Sequence, residues 1–525
     1  MLANPPSPIL ERSIKIPGIE PISELEANKP QSFDPIGNIN AINACGCPRV
    51  PFKSEGTTRA RRDSSEELNP VVVSTKSLYE RIHFVKVDGA GVRAAADYIS
   101  RKLREETYTP TTWRTHPLHL LPPIHYNPSD PRTRATLDWI FLISSLNFSF
   151  WSDKEGLCPG DAKEGRYAVE WWSSWEEARG GRKEKKMWTG YWSLVAAVNR
   201  ALDNGIPITD PAFYSCPEHC PDSTIEAVFE PAPHCTERVP LLKERIRVLR
   251  EVGTILCQHF EGSFQGFLAE FHKRHGNSPG GGSALQLVKM VTDTFPSFRD
   301  ETKYEDQTVY FWKRAQILVA ETWAAFYPLP ATSSSSTTSA NGITKDNNHI
   351  QNTNGNDDIT NGHNERNDGS TTVTEEEKEE LRHPFLPNGV SQLTMFADYR
   401  VPQILHHLGI LTYPSSLVEK LRKGTYLEPG CMEEVSIRAA SILGVEAVRD
   451  VILAEAEETF TTKGKGSGKE KDDGRGKEVA EDVSSVLIDF YLWDLAKKIE
   501  RGEEVVTGIS TSEILPAHRT RSIWY

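Results

Sequence analysis

Apolar residues recur at three- and four-residue intervals along much of the chain after residue 75, the spacing of helices with one buried face. In "SDPRTRATLDWIFLISSLNFSFW", Ser129, Asp130 and Pro131 form a helix start signal ahead of a long apolar run. In "TGYWSLVAAVNRALDNGIPITD", Leu194, Ala197, Val198, Ala201 and Leu202 share helical spacing, and Gly205 before Pro207 marks the stop. The same period runs through "VPLLKERIRVLREVGTILCQHFEGSFQGFLAEF", "ALQLVKMVTDTFP", "VYFWKRAQILVAETWAAFY", "VPQILHHLGIL", "SSLVEKLRKG" and "MEEVSIRAASILGVEAVRDVILAEAEETF". No series of alternating runs separated by turn dipeptides accompanies them. The expected fold class is mainly α, with a few short strands.

The period is absent elsewhere. Residues 1 to about 75 are rich in Pro, Ser, Asn and Glu and predict a disordered N-terminal extension. Polar low-complexity tracts at about 331–380 and a charged, Gly-rich one at about 461–480 read as insertions, because neither can bury enough apolar surface to offset its ordering entropy. The charged stretch at about 152–187 reads as an expanded surface loop. Removing the extension and the two low-complexity tracts leaves roughly 380 residues, enough for one large or two intimate domains.

Composition narrows the function classes. The net charge is −13 and no sustained Lys/Arg stripe exists outside the tracts, so stable binding of a large polyanion is not expected. A single small phosphate needs only one or two cations. No apolar leader and no stretch of about 18 apolar residues is evident, so the expectation is a soluble protein of the cytoplasm, with the nucleus also open. The 8 cysteines are sparse, which suits a reducing compartment. Cys216, His219, Cys220, His234 and Cys235 cluster, but their spacing matches no finger or ribbon, and they read as a Cys/Pro-rich loop; no metal and no cofactor are expected.

Candidate chemistry centres on carboxylates among aromatics. Asp489 stands in "SSVLIDFYLWDLAKKIE", on a helical face with Ser485, Val486, Trp493 and Ala496 and no cation. Such a carboxylate is either satisfied by another element or poised to stabilise a cationic transition state. Asp494, roughly 140° further round, has Lys497 and Lys498 at i+3 and i+4, the arrangement of a surface ion pair. In "TMFADYRVPQILHHLGI", Asp398 suits the cap of the following helix, while Phe396 beside it offers a flat face to a planar base whose N–H edge a carboxylate could accept. His125 lies on a Pro-rich loop before a helix start. Lys313, Arg314 and Arg400 are candidate phosphate contacts, each equally suited to an ion pair. No GxSxG elbow, P-loop, HExxH or dinucleotide fingerprint is present.

Seven blocks in order sharpen this picture: "DWIFLISSLNFSFW", "TGYWSLVAAVNRALDNGIPITD", "FPSFRDET", "FWKRAQILVAETW", "TMFADYRVPQILHHLG", "IDFYLWDLA" and "HRTRSIWY". Together, over about residues 76–525, they resemble the queuosine salvage protein family, the queuosine 5'-phosphate N-glycosylase/hydrolases. The resemblance implies an all-helical fold similar to helix-hairpin-helix DNA glycosylases. It also implies hydrolysis of queuosine 5'-phosphate to queuine and ribose 5-phosphate, releasing the base for tRNA modification. Asp489 would then be the catalytic carboxylate, Phe396, Asp398 and His125 would hold the base, and Asp494 would be a further ligand. Two other readings stay open at this point, a DNA glycosylase-like enzyme and a non-catalytic queuine or nucleotide carrier.

Overall fold

The computed structural model describes residues 68–154, 165–181, 184–276, 281–329, 383–463 and 483–525. The expected tract at 331–380, the one at 461–480 apart from residues 461–463, and residues 1–67 of the expected extension lie outside the described residues.

The folded chain begins before the expected boundary at residue 76. Helix α1 spans Pro70–Ile82, with Pro in its first turn and the Asn69 side chain accepting from the Val71 amide at 2.9 Å. The run of three valines that follows Pro70 masks this start, since β-branched residues are poor evidence for a helix in isolation. Then come α2 (Gly89–Glu105), a 3-10 turn at Pro110–Thr115, α3 (Pro131–Ser145), α4 (Tyr191–Asp203), α5 (Pro211–Ser215) and α6 (Asp222–Val228). The series continues with α7 (Leu242–His259), α8 (Phe264–His275), α9 (Ala284–Thr294) and α10 (Lys313–Ala325). It closes with α11 (Val401–His407), α12 (Ser415–Arg422), α13 (Met432–Lys463) and α14 (Ser485–Glu500).

Strands are few and short. Antiparallel pairs join β1 (Lys86–Val87) to β6 (Leu411–Thr412), β2 (Ala168–Trp172) to β3 (Lys185–Thr189), and β4 (Glu301–Tyr304) to β5 (Gln307–Tyr310). The second pair corrects the loop expected at 152–187. Its register runs from Ala168↔Thr189 to Trp172↔Lys185, it packs on α4, and Val169 and Trp171 are buried. Charged residues on the solvent side of both strands gave the segment the look of a loop. Residues 155–164 and 182–183 of that stretch lie outside the described residues.

Helix α10 is the axis of the core, with every residue from Lys313 to Ala325 buried. A helix buried all round must satisfy its polar side chains internally. Gln316 does so by donating to Thr394 Oγ1 at 2.9 Å and accepting from the Thr394 amide at 2.9 Å. Arg314, on another face of the helix, donates to the carbonyls of Ser145 and Ser297 and lies over Phe148 and Phe298, which ties α3 and α9's following turn to α10.

A buried ionic cluster closes the other side. The Arg438 guanidinium of α13 makes a two-pronged pair with Asp300 (3.1 and 2.6 Å) and its Nε donates to the Ala397 carbonyl at 2.9 Å. It is sandwiched between Phe311 and Tyr525, and the Tyr525 hydroxyl donates to Glu434 at 2.8 Å. Removing one partner of such a pair strands the other charge in the core. Arg438→Ala is expected to lower unfolding free energy by roughly 3–5 kcal/mol, measured by denaturant unfolding of the full chain; a loss below about 1 kcal/mol, the range of an exposed pair, would contradict it.

Candidate active site

The segment from Thr394 to Asp398 crosses the core between α10, α13 and α14, and each helix holds it. Gln316 fixes Thr394, Arg438 takes the Ala397 carbonyl, and the Phe396 amide donates to Asp489 Oδ1 at 3.0 Å. Asp398 Oδ1 then accepts from the amides of Arg400 and Val401, both at 2.8 Å, and so caps α11. Phe396 is turned toward Phe490 of α14, the ring centres 5.9 Å apart.

A cavity of about 270 Å³ opens along this segment. Asp489, Phe396, Asp398, Asp494, Lys313 and Arg400 all line it. Residues that are distant in sequence thus converge on one space. His125 and Arg314 do not line it. His125 is exposed on the loop that starts α3, where Asn127 caps the turn through the Ser129 amide and takes the Thr133 hydroxyl on its carbonyl. Arg314 is spent on the core contacts described above. Cys216 and Cys220 are buried near the end of α5, and no group of three His, Cys, Asp or Glu side chains among the described residues could hold a metal ion.

The rest of the lining escaped sequence reasoning. His116 and His119 follow the 3-10 turn: His116 stacks on Trp192 at 3.5 Å with the rings nearly parallel, and His119 stacks on Trp113 at 4.0 Å. Trp192 in turn meets Trp493 edge-on at 5.8 Å. Glu321, Tyr108, Tyr191 and Lys497 add further polar groups to the lining. A signal for Glu321 was present: Lys313, Ile317 and Glu321 stand at i, i+4 and i+8 of one apolar helix, and all three line the cavity. The histidines carry no such periodicity on a Pro-rich loop.

Electrostatics divide the lining. Asp489 is only 3% exposed. Burial pushes its carboxyl well above the ordinary range and the charge of Asp398 adds to this, while the Phe396 amide and Lys313 pull it back. Burial lowers Lys313 to about 8 against the attraction of Asp398. Its ammonium donates to the Asn147 carbonyl at 2.9 Å. Asp494 is raised by burial, opposed by the Tyr108 hydroxyl that donates to it at 2.6 Å. The surface pair expected for Asp494 does not form, since Lys497 and Lys498 bond Glu500 and Glu106, both at 2.8 Å. Burial would raise Glu500, but Arg400 and Lys497 hold it down at about 2. Burial also lowers His116 to about 2 and His119 to about 4, so both imidazoles are neutral. The cavity can therefore hold a flat aromatic group against its rings, an anion near Lys313, Arg400 and Lys497, and a developing cation at Asp489.

Known proteins match this chain along nearly its whole folded length. A sequence model of the family described as queuosine salvage protein matches residues 124–333 and 377–525. A Schizosaccharomyces pombe protein named queuosine 5'-phosphate N-glycosylase/hydrolase is 34% identical over 84% of this chain and 95% of its own. A protein of the same name from Mus musculus is 32% identical over 86% of this chain and 97% of its own. A bacterial relative of that name, from Sphaerobacter thermophilus, is 28% identical over 87% of this chain. With the cavity assembled from the same blocks that carry the sequence resemblance, the chain belongs to the queuosine salvage protein family.

Proposed function

We infer that this chain hydrolyses the N-glycosidic bond of queuosine 5'-phosphate, giving queuine and ribose 5-phosphate. The observation that carries the chemistry is Asp489, a buried carboxylate at the wall of an aromatic cavity that forms no ion pair among the described residues. As the bond to the base breaks, its electrons leave with the base and positive charge spreads over C1' and the ring oxygen of the ribose. A carboxylate in low dielectric stabilises that charge, or traps it covalently before water adds to C1', as in glycoside hydrolysis.

The base of queuosine carries carbon where guanine has N7, so the usual protonation site is missing. More of the barrier must then be lowered from the sugar side and by hydrogen bonds to the departing base. Asp489 answers the first demand. Phe396, held by its amide on the same carboxylate, supplies a face for the base, and Asp398 an acceptor for its N–H edge. In this reading Lys313 and Arg400, which line the same cavity, meet the 5'-phosphate, and Asp494, also in the lining, is a further ligand. The net charge of −13 supports a mononucleotide rather than tRNA as substrate.

Two predictions follow from this assignment. Purified protein incubated with queuosine 5'-phosphate releases free queuine, followed by chromatography. Asp489→Asn lowers kcat by roughly 10²–10³-fold or more while the nucleotide still binds, and Asp398→Ala chiefly raises KM. Absence of queuine release from folded wild type would sink the assignment and favour a carrier. The second concerns pH. The ionised form of Asp489 is the one that stabilises the cation, and kcat/KM reports the free enzyme, so its acid limb follows Asp489 and lies above the ordinary carboxylate range. The basic limb follows loss of the Lys313 charge near pH 8. Lys313→Met moves the acid limb to higher pH, because the cation that favours the ionised carboxyl is gone, and removes the basic limb. An acid limb that stays put in this variant would contradict the coupling.

A further inference from the structure

Glu321 is a buried carboxylate that the reaction described above leaves without a task. It stands two turns along α10 from Lys313, about 12 Å of helix rise, on the stripe that faces the cavity. Tyr191 donates to its Oε1 at 3.3 Å and Ser144 to its Oε2 at 3.4 Å. Both are long for hydroxyl donors, whose bonds to a carboxylate ordinarily fall near 2.5–2.7 Å. Among the described residues Glu321 forms no ion pair.

Its surroundings suit a cation, and no cation among the described residues pairs with it, although Lys313 attracts it from further along the helix. Trp113, Tyr191 and Trp192 line the cavity with it and present aromatic rings, and the neighbouring imidazoles of His116 and His119 are neutral. Burial pushes the Glu321 carboxyl up to about 7, against the pull of the Tyr191 and Ser144 hydroxyls and of the Lys313 charge. A buried carboxylate of this kind is costly unless a ligand completes it.

We propose that Glu321, with Tyr191 and the tryptophans beside it, is a specificity site for a secondary ammonium carried on the 7-position of the substrate base. Queuine differs from 7-deazaguanine by an aminomethyl-linked cyclopentenediol at that position, and the amine is protonated at neutral pH. The Lys313 end of the stripe takes the anionic part of the nucleotide and the Glu321 end its cationic substituent. Opposite charges at the two ends thus orient the substrate relative to Asp489, which lines the same cavity. This rests on the cavity being the nucleotide site.

The test uses free bases and needs no turnover. Quenching of tryptophan fluorescence in the full chain gives Kd for queuine, 7-aminomethyl-7-deazaguanine and 7-cyano-7-deazaguanine, the last lacking a cation. Wild type should bind both amines roughly 10- to 100-fold tighter than the nitrile, the range of a charge-assisted hydrogen bond. Glu321→Gln should lose that factor on the amines and leave the nitrile within about twofold, and Glu321→Asp should keep part of it. Equal affinity of wild type for amine and nitrile would overturn the proposal even where Glu321→Gln does not fold, and so would equal losses on all three bases. A preference for amines without queuine release would contradict the hydrolase reading and leave this one standing; release without the preference would do the reverse.

Discussion

The whole site depends on keeping one ionisable carboxylate out of water. Asp489 can be held in the core only because the chain crosses in front of it and gives it a backbone donor, the Phe396 amide at 3.0 Å. That crossing segment is in turn pinned from α10 by Gln316 and from α13 by Arg438. The buried pair of Arg438 with Asp300 is therefore more than a core feature. It sets the position of Ala397, and so of Phe396 and Asp398 on either side. The arrangement has a thermodynamic cost, since burial and the neighbouring Asp398 charge both disfavour the ionised Asp489. That cost is relieved when positive charge develops next to it, which is the condition for a group to bind a transition state better than a ground state.

The cavity distributes charge to match a substrate with several kinds of group. Carboxyls, cations and neutral stacked rings all contribute to its lining. Glu500 shows how the cations are kept in place, being held ionised by Arg400 and Lys497 despite burial. No helix among the described residues is long and apolar enough to cross a membrane, and the core is built instead around the fully buried α10.

Much of this was legible in the sequence because it rests on local rules. Start and stop signals placed α3 and α4, and the oddity of Asp489 in an apolar helix singled out a residue that the structure finds buried at the cavity wall. Asp398 shows two readings holding at once: it caps α11 as expected of a residue before Pro402, and it also lines the cavity. What stayed hidden depends on contacts between distant segments. The lysines after Asp494 promised a surface ion pair, but Tyr108 reaches it from the link between α2 and the 3-10 turn, 386 residues earlier in the chain. His116, His119 and His125 share one Pro-rich stretch, and only tertiary packing decides that the first two meet tryptophans while the third faces solvent. The hairpin of β2 and β3 was hidden because its apolar alternation is diluted by charges on the outer face.

The most direct test of this account is a crystal structure of the Asp489→Asn protein with queuosine 5'-phosphate bound. The ribose C1' should lie about 3–3.5 Å from the side chain of residue 489, with the base against Phe396 and the phosphate toward Lys313 and Arg400. A nucleotide bound with C1' remote from residue 489, or with the base and phosphate ends exchanged, would contradict the claim that the buried carboxylate is there to meet the sugar cation.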